Sequence, residues 1–488
     1  MEKKILFRRR LTTITRVLGM LLLVEAGFML LSLLISILYH DHNSLSLIIS
    51  SSITAIFGLI FLLPLLKNKK LKIDHRLGLI IVASIWIVMS FFGALPYYIG
   101  GHIPSFFDSF FETISGFTTT SATIIPDVEI LPQSLLFWRS MTNWIGGVGI
   151  VVIVLSFIPF IGGGGMSLFS AEVAGPSMNK LSPRTRENAL IIIKIYISLT
   201  IITIFSFWAA GMNFFDSLIH ALSTISSGGF SNKNESVSNF SPLIQYVIII
   251  FMIITGISFP LIYYAIKGKF TRLWINEEFK VYLSIILIGS FVIGLLIYDP
   301  SIDFETNFRH SLFQVSSILS SAGFISYDYT LWIAPAVFLL FLLMFSGAMA
   351  SSTTGGLKLV RVIILFKNAN NILQRSIHSK AHITIKYEKK ILEQHVINNI
   401  LTIFLLYLFT FLIASLILIA LGLGFNESMG GVVSCLSNMG AGFGEIGAYG
   451  NYAQLSQPVK IVFASLMYLG RLELITVFCL FMPSFWRN

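Results

Sequence analysis

The stretch FFDSFFETISGFTTTSAT (Phe106–Thr123) mixes aromatic rings with a run of hydroxyls, inside a chain that is overwhelmingly apolar. Its length decides how it is read. Even if wholly helical, Phe106–Thr120 reaches only about 22 Å, short of the ~30 Å hydrocarbon core of a bilayer. It is also too polar to face lipid. A re-entrant helix followed by a turn is the natural reading, because non-helical backbone at membrane depth survives only where protein buries it or water lines it.

Beyond this stretch the same arrangement recurs. After a first pair of apolar spans, near Arg16–Tyr39 and Leu45–Leu66, four units follow. Each has a long apolar span, a short half-polar segment, a glycine-containing turn and a second long span. The first spans are about His75–Tyr98, Asn188–Ala210, Phe279–Tyr298 and Val396–Leu423. The second spans are about Leu131–Phe160, Pro242–Ile266, Leu331–Phe366 and Val459–Met482. The short segments after the first are FFDSLIHALSTISS, FRHSLFQVSSILSS and FNESMGGVVSCLSN. This divides the chain at 1–74 (leader pair), 75–184, 185–277, 278–390 and 391–488. The expected fold is an all-α polytopic membrane protein, with a two-helix leader and four helix–re-entrant helix–turn–helix repeats sharing one aqueous pathway.

Composition agrees. Of the 488 residues, 55% are hydrophobic and 11% charged, and mean hydropathy is +0.83. On a soluble protein the net charge of +10 would suggest nucleic acid. Here the bases cluster at Lys3–Arg16, Lys67–Arg76, Lys180–Lys194, Lys267–Lys280 and Lys358–Lys390. Asp41–Ser44, Gly100–Gln133 and Asn426–Gln457 carry none. This alternation marks cytoplasmic loops and puts both termini inside. Juxtamembrane bases are placed to touch anionic lipid, and no nucleic-acid partner is expected. MEKKILFRRR starts like a signal peptide, but no small-residue cleavage site follows, so the first span is expected to be retained. Cys435 and Cys479 lie in membrane segments without metal or disulfide spacing.

The turns read SGFTTTSAT, SGGFS, SAGFI and GAGFG, and none carries a charge. A passage that binds cations without charged side chains must use backbone carbonyls. Glycine permits the φ values that turn successive carbonyls inward. The short helices would aim their partly negative C-terminal ends at the same axis. A single GF dipeptide would mean nothing, since small residues also serve helix packing. Three, each after a short amphipathic segment, are hard to obtain from packing alone.

At this point the chain resembles the Trk/Ktr/HKT superfamily of cation transporters, most closely its bacterial TrkH/TrkG branch. The resemblance rests on FFDSFFETISGFTTT, FWRSMTNWIGGVGIVV (Phe137–Val152), STISSGGFSN (Ser223–Asn232), SSAGFISYDY (Ser320–Tyr329), SSTTGGLKLVR (Ser351–Arg361) and YLGRLEL (Tyr468–Leu474). It also includes the leader pair, which the Ktr branch lacks. It implies a pseudo-fourfold pore, a homodimer, potassium uptake in the cell membrane, and control by a cytoplasmic ring of nucleotide-binding regulator subunits. It implies K⁺ at the filter residues Thr119, Thr120, Ser121; Ser227, Gly228, Gly229; Ser321, Ala322, Gly323; and Gly440, Ala441, Gly442. No nucleotide or transition metal is expected on this chain.

Spacing selects the centre of the first turn. Asp216 to Gly229 and His310 to Gly323 are both steps of thirteen, and so is Asp108 to Ser121, whereas Asp108 to Gly116 is eight. The fourth unit is looser, with Glu427 to Gly442 a step of fifteen. Ser121, not Gly116, is therefore expected at the centre. Relatives usually read TTTGAT here, and plant HKT proteins with serine at the matching place tend to admit sodium. Strict potassium selectivity is accordingly in question.

Other features point to control. One helix from Leu331 to Asn368 would be about 57 Å, twice the hydrocarbon core. SGAMASSTTGG (Ser346–Gly356) breaks it, either as a kink or, as the family implies, as an intramembrane gate carrying Gly347, Ser351, Thr353, Thr354, Gly355 and Gly356. Arg471 lies midway along the last apolar run, where charge is expensive; the resemblance makes it an electrostatic brake below the filter. Arg139, beside Trp138, reads as an interfacial anchor. Glu112 could add negative potential near the turns or bond to neighbouring helix ends. IGGGGM (Ile161–Met166) and Trp144–Val151 lack the partners of a phosphate loop. The basic loops, above all Asn368–Lys390, are docking surfaces or topology signals alone.

Three functions compete for this pattern. A gated pore for K⁺, or for K⁺ with Na⁺, fits the four turns. A sodium-permeable or proton-coupled symporter with alternating access would need paired broken helices and buried coupling acids. A membrane enzyme would need a nucleophile, an acid pair or a metal cluster, and none is evident.

Overall fold

A computed structural model describes residues 2–63, 75–157, 185–378, 384–388 and 390–486. Ile161–Met166 and the expected unit boundaries at 74 and 184 lie outside them. Among the described residues, six helices are long and apolar enough to cross a membrane, or up to eight if each of two bent pairs is one span. The chain is a multi-span α-helical membrane protein.

The leader is a helical hairpin, Glu2–Tyr39 and Ser44–Leu62. Asp41 in its turn accepts hydrogen bonds from Ser36 Oγ at 2.5 Å and from the Ser134 amide at 2.8 Å. It thereby fastens the leader to the start of the first unit's second span, Gln133–Phe157. The units' first spans are His75–Gly93 continued by Leu95–Ile99, Thr185–Ala209, Glu277–Leu296 and Gln394–Ala420. All four fall where hydropathy put them. Each is followed by a short helix: Phe106–Phe117, Phe214–Ile225, Phe304–Leu319 and Phe425–Leu436. Most residues on the short helices' second halves are buried, which explains how such polar sequences are tolerated inside the membrane.

The second spans are where sequence and structure diverge. The second unit's span was expected to run from Pro242 to Ile266. It bends by 109° between Pro242–Thr255 and Phe259–Ile266. Pro260 supplies the local cause, because it has no N–H to donate to Gly256 O and its ring would crowd that carbonyl in a continuous helix. The last span was expected to run from Val459 to Met482. It bends by 111° between Gln457–Leu472 and Leu474–Phe481, at Glu473, whose φ is +58°. Arg471 thus lies near the end of a helix rather than midway along one. The third unit's second span opens as expected. Helix Ala334–Met344 stops and helix Leu359–Ile377 begins after an irregular loop. The loop's ends are joined, since the Gly347 amide donates to Leu357 O at 2.7 Å and Leu359 N to Ala348 O at 3.1 Å.

The basic stretch Asn368–Lys390 is partly helical. A two-stranded hairpin, Lys386–Tyr387 with Lys390–Ile391, follows. Lys367 ties it down by donating to Lys386 O at 2.9 Å, and Asn276 bonds to Glu388.

Candidate functional site

The short helices end alike. The residue just beyond each is a hydroxyl that folds back on the last helical turn. Thr118 Oγ1 donates to Ile114 O at 2.7 Å, Ser226 Oγ to Leu222 O at 2.9 Å, Ser320 Oγ to Ser317 O at 3.3 Å and Ser437 Oγ to Val433 O at 2.7 Å. Two residues further on, each turn closes on the same backbone bond. Thr120 N donates to Ser115 O, Gly228 N to Ser223 O, Ala322 N to Ser317 O and Met439 N to Ser434 O, all at 2.9 Å.

Backbone angles then align the units. Positive φ occurs at Thr119 (+56°) and Ser121 (+61°), at Ser227 (+57°) and Gly229 (+96°), at Ser321 (+54°) and Gly323 (+69°), and at Asn438 (+55°) and Gly440 (+91°). Every other residue of each turn is left-handed, a geometry that brings successive carbonyls to one side. Ser121 is therefore the geometric counterpart of Gly229 and Gly323, and Gly116 lies within the helix before it. The fourth turn corrects the sequence reading: its centre is Gly440, not Gly442. With that register Glu427 to the centre is also a step of thirteen (427 to 440). Gly442 lies beyond the turn, where its amide donates to Ile446 O at 2.8 Å and its carbonyl accepts from Tyr329 Oη at 2.7 Å. Ala441 follows the centre as Ala122 does in the first turn. The GF dipeptide misled because phenylalanine directly follows the centre only in the second and third turns.

The four turns form a closed ring. A Cβ built on Gly229 would lie 1.7 Å from Ala322 O, one on Gly323 2.1 Å from Met439 O, and one on Gly440 2.2 Å from Thr120 O. Each of the three glycine centres thus lies against the carbonyl of the next unit. Every junction is spanned by hydrogen bonds just beyond the ring, among them Val128 N to Asn234 Oδ1 (2.9 Å), Val237 N to Ile325 O (3.1 Å), Tyr329 Oη to Gly442 O (2.7 Å) and Tyr452 N to Thr123 O (2.8 Å). Closure of the fourth unit on the first adds Asn438 Nδ2 to Thr120 Oγ1 at 3.0 Å and the pair Lys460–Asp108 at 3.2 Å. Ser121, Gly229, Gly323 and Gly440 together line one cavity of about 110 Å³.

Arg139 is not an interfacial anchor. It is 3% exposed, and its Nε donates to Glu112 Oε1 at 2.6 Å. Its Nη1 donates to Ser231 O at 2.7 Å, and its guanidinium lies 3.5 Å from the centre of the Phe230 ring. Glu112 also accepts from Ile124 N at 2.8 Å and from Thr123 Oγ1 at 3.1 Å. Of the two readings of Glu112, the hydrogen-bonding one describes these contacts. The pair braces the exits of the first and second turns, and such a buried pair is tolerated because its remaining hydrogen-bonding groups are satisfied.

Below the ring lies the loop that interrupts the third unit. Thr353 Oγ1 is 2.6 Å from Ser227 Oγ of the second turn. A Cβ on Gly355 would meet Ser437 O of the fourth unit at 2.3 Å, and one on Gly347 would meet Gly355 O at 2.0 Å. Ser351 and Gly356 have positive φ (+59° and +72°). The bent spans meet this loop. Phe259 N donates to Ser351 O and Met349 N to Gly256 O, both at 3.1 Å. Arg471 donates to Thr353 O at 3.0 Å and to Gly146 O at 2.7 Å, joining the loop to the first unit. Glu473 faces Arg361 instead, at 2.8 Å.

Two residues of this region escaped sequence reasoning. Glu278 accepts from Ala350 N at 2.8 Å and from Val360 N at 3.0 Å, so one carboxylate holds both sides of the loop. Lys358 is buried and donates to Thr354, to the carbonyl and, at 3.1 Å, to Oγ1. An acid opening a spanning helix and a lysine inside SSTTGGLKLVR were the available signals. Among the described residues no three His, Cys, Asp or Glu side chains group as metal ligands.

A family model named TrkH, described as a cation transport protein, matches residues 46–488. The Trk system potassium uptake protein TrkH of Salmonella typhimurium is 34% identical over 485 residues, which cover 97% of this chain and 99% of that protein. The Trk system potassium uptake protein TrkG of Escherichia coli is 34% identical over 427 residues, covering 86% and 88%. The crystal structure of the potassium transporter TrkH from Vibrio parahaemolyticus matches with a TM-score of 0.87 at 31% identity, covering 98% of this chain and 99% of that one.

Proposed function

Because the chain belongs to the TrkH family of cation transport proteins, we propose that it carries potassium into the cell through a single selectivity filter made of its four turns. The observation that carries this reading is the cavity shared by Ser121, Gly229, Gly323 and Gly440, one residue from each unit. Left-handed residues alternate through the turns that meet there. Carbonyls so presented replace the hydration shell of a monovalent cation without any charged side chain, and four short helices end towards the same point. The carbonyls of Thr119, Thr120 and Ser121 and their counterparts hold K⁺. In the fourth turn the counterparts are Asn438, Met439 and Gly440.

The loop through Gly347, Ser351, Thr353, Thr354, Gly355 and Gly356 acts as the gate, and Arg471 is a positive charge beside the path that slows cations. The basic face around Leu359–Ile377 and its hairpin receives a nucleotide-binding regulator on the cytoplasmic side. The assembly is a homodimer in the cell membrane, with both termini inside.

Sodium permeation is favoured by one specific residue. Ser121 is the only ring centre with a side chain, and its left-handed backbone costs about 1 kcal/mol relative to glycine. Flux of K⁺ and Na⁺ in proteoliposomes tests this. Ser121→Gly is expected to raise the K⁺-over-Na⁺ ratio by roughly three- to tenfold, the equivalent of about 1 kcal/mol. Equal ratios would remove serine as a determinant.

A further inference from the structure

At three junctions of the ring, the centre has no side chain and presses on the carbonyl of the residue preceding the next centre: Ala322, Met439 or Thr120. The first junction differs on both sides. Its centre, Ser121, carries a hydroxymethyl group, and the residue corresponding to Ala322, Met439 and Thr120 is Gly228. The space that a side chain at 228 would fill is not empty. A Cβ there would lie 2.3 Å from Asn143 Nδ2 and 2.6 Å from Asn143 Cγ. The same Nδ2 donates to Ser121 Oγ at 2.8 Å.

Asn143 is fully buried and sits on helix Gln133–Phe157. That helix is clamped to the first short helix: a Cβ on Gly146 would lie 1.9 Å from Phe117 O. The amide is thus held by a rigid element one turn from the close contact. The Ser121 hydroxyl is half-buried at the cavity wall, and a hydrogen bond from a buried amide that holds it in one rotamer fixes the atoms next to it. Here those atoms are the backbone of the first ring centre.

We infer that Asn143 is a specificity-determining positioning residue: it fills the space that Gly228 leaves and holds the Ser121 hydroxyl to one side, keeping a serine-bearing turn in register with three glycine-bearing ones. This rests on the reading of the turns as a filter. It makes Ser121, Asn143 and Gly228 one unit, whose members cannot be exchanged independently.

The test is a double-mutant cycle on the K⁺-over-Na⁺ flux ratio in proteoliposomes, using full-length protein that elutes as the natural chain does. Asn143→Ala is expected to lower the ratio roughly three- to tenfold. In the Ser121→Gly background the same substitution is expected to change it less than about twofold. Asn143→Leu, which keeps the shape and removes the donor, repeats the test should the alanine variant fail to assemble. Gly228→Ala is expected to lose most flux, and Asn143→Ala in the same chain to restore part of it. Equal changes in both backgrounds, an unchanged ratio in Asn143→Ala, or no rescue would overturn the inference. Failure of the filter reading looks different: Gly323→Ala would leave flux untouched. Purely structural damage would lower flux while leaving the ratio alone, which also counts against the inference.

Discussion

The ring of turns and the layer beneath it are built from the same four repeats, yet they treat symmetry in opposite ways. In the ring, all four turns repeat one backbone bond at 2.9 Å and one pair of left-handed residues. Beneath it, the second spans are not all built alike. The first is one helix, Gln133–Phe157; the second bends by 109°, the third opens into a loop, and the fourth bends by 111°. An unhydrated ion is held best by equivalent ligands from all sides. A barrier that opens needs only one movable part, with fixed neighbours to close against. The repeats stay alike where an ion would sit and diverge where its passage would be controlled.

Four substitutions separate these layers. The largest effect is expected from Gly323→Ala, which puts a methyl group 2.1 Å from Met439 O on a left-handed residue. Potassium flux should fall by more than about tenfold, because backbone on both sides must shift; near-normal flux would show that the ring tolerates asymmetry. Glu112→Gln should leave Arg139 buried without its anion. Loss of about 3 kcal/mol is expected, read as a lowered unfolding temperature in detergent together with reduced flux. Arg471→Ala removes a cation and the tie between the loop and Gly146. It should raise K⁺ flux severalfold while leaving the K⁺-over-Na⁺ ratio unchanged; a changed ratio would mean that the lower layer also selects.

The smallest effect concerns Asp41. Burial raises its pKa, but the bonds from Ser36, Ser134 and Asn43 outweigh burial, so the folded value lies below the usual one. The contribution is fully present above the unfolded value of about 3.9 and is lost as pH falls through the folded value. Asp41→Asn should therefore flatten the acid side of the stability profile, measured by thermal unfolding between about pH 2 and pH 5. An unchanged profile would show that the leader is held by packing alone.

Much of this was readable in the chain. Spans announce themselves by hydropathy, and the short helices by being too short and too polar to cross. Asp108, Asp216 and Glu427, each thirteen residues before a centre, carry the register; the fourth turn went wrong only because Gly442 has the more conspicuous neighbour. The bends were harder. The apolar run continues past Glu473, and the partner that Glu473 meets at the bend, Arg361, is more than a hundred positions away. Pro260 was a visible hint at the other bend. Arg139 next to a tryptophan looks like an interfacial residue until Glu112 is brought against it by the packing of two helices. Hydropathy ranks residues by cost in lipid and is silent on which of them find each other.

The junction between the fourth unit and the first has a consequence for synthesis. Thr120 meets Asn438, and Asp108 meets Lys460, so the ring is joined by residues more than three hundred positions apart. Three quarters of the turns can leave the ribosome and still enclose nothing. The first unit must wait in the bilayer, its hydroxyl-lined face uncovered, until the last hairpin arrives, and loop closure over such a separation is intrinsically slow. A chain stopped before Asn438 would lack the fourth turn and leave the ring open between the third unit and the first.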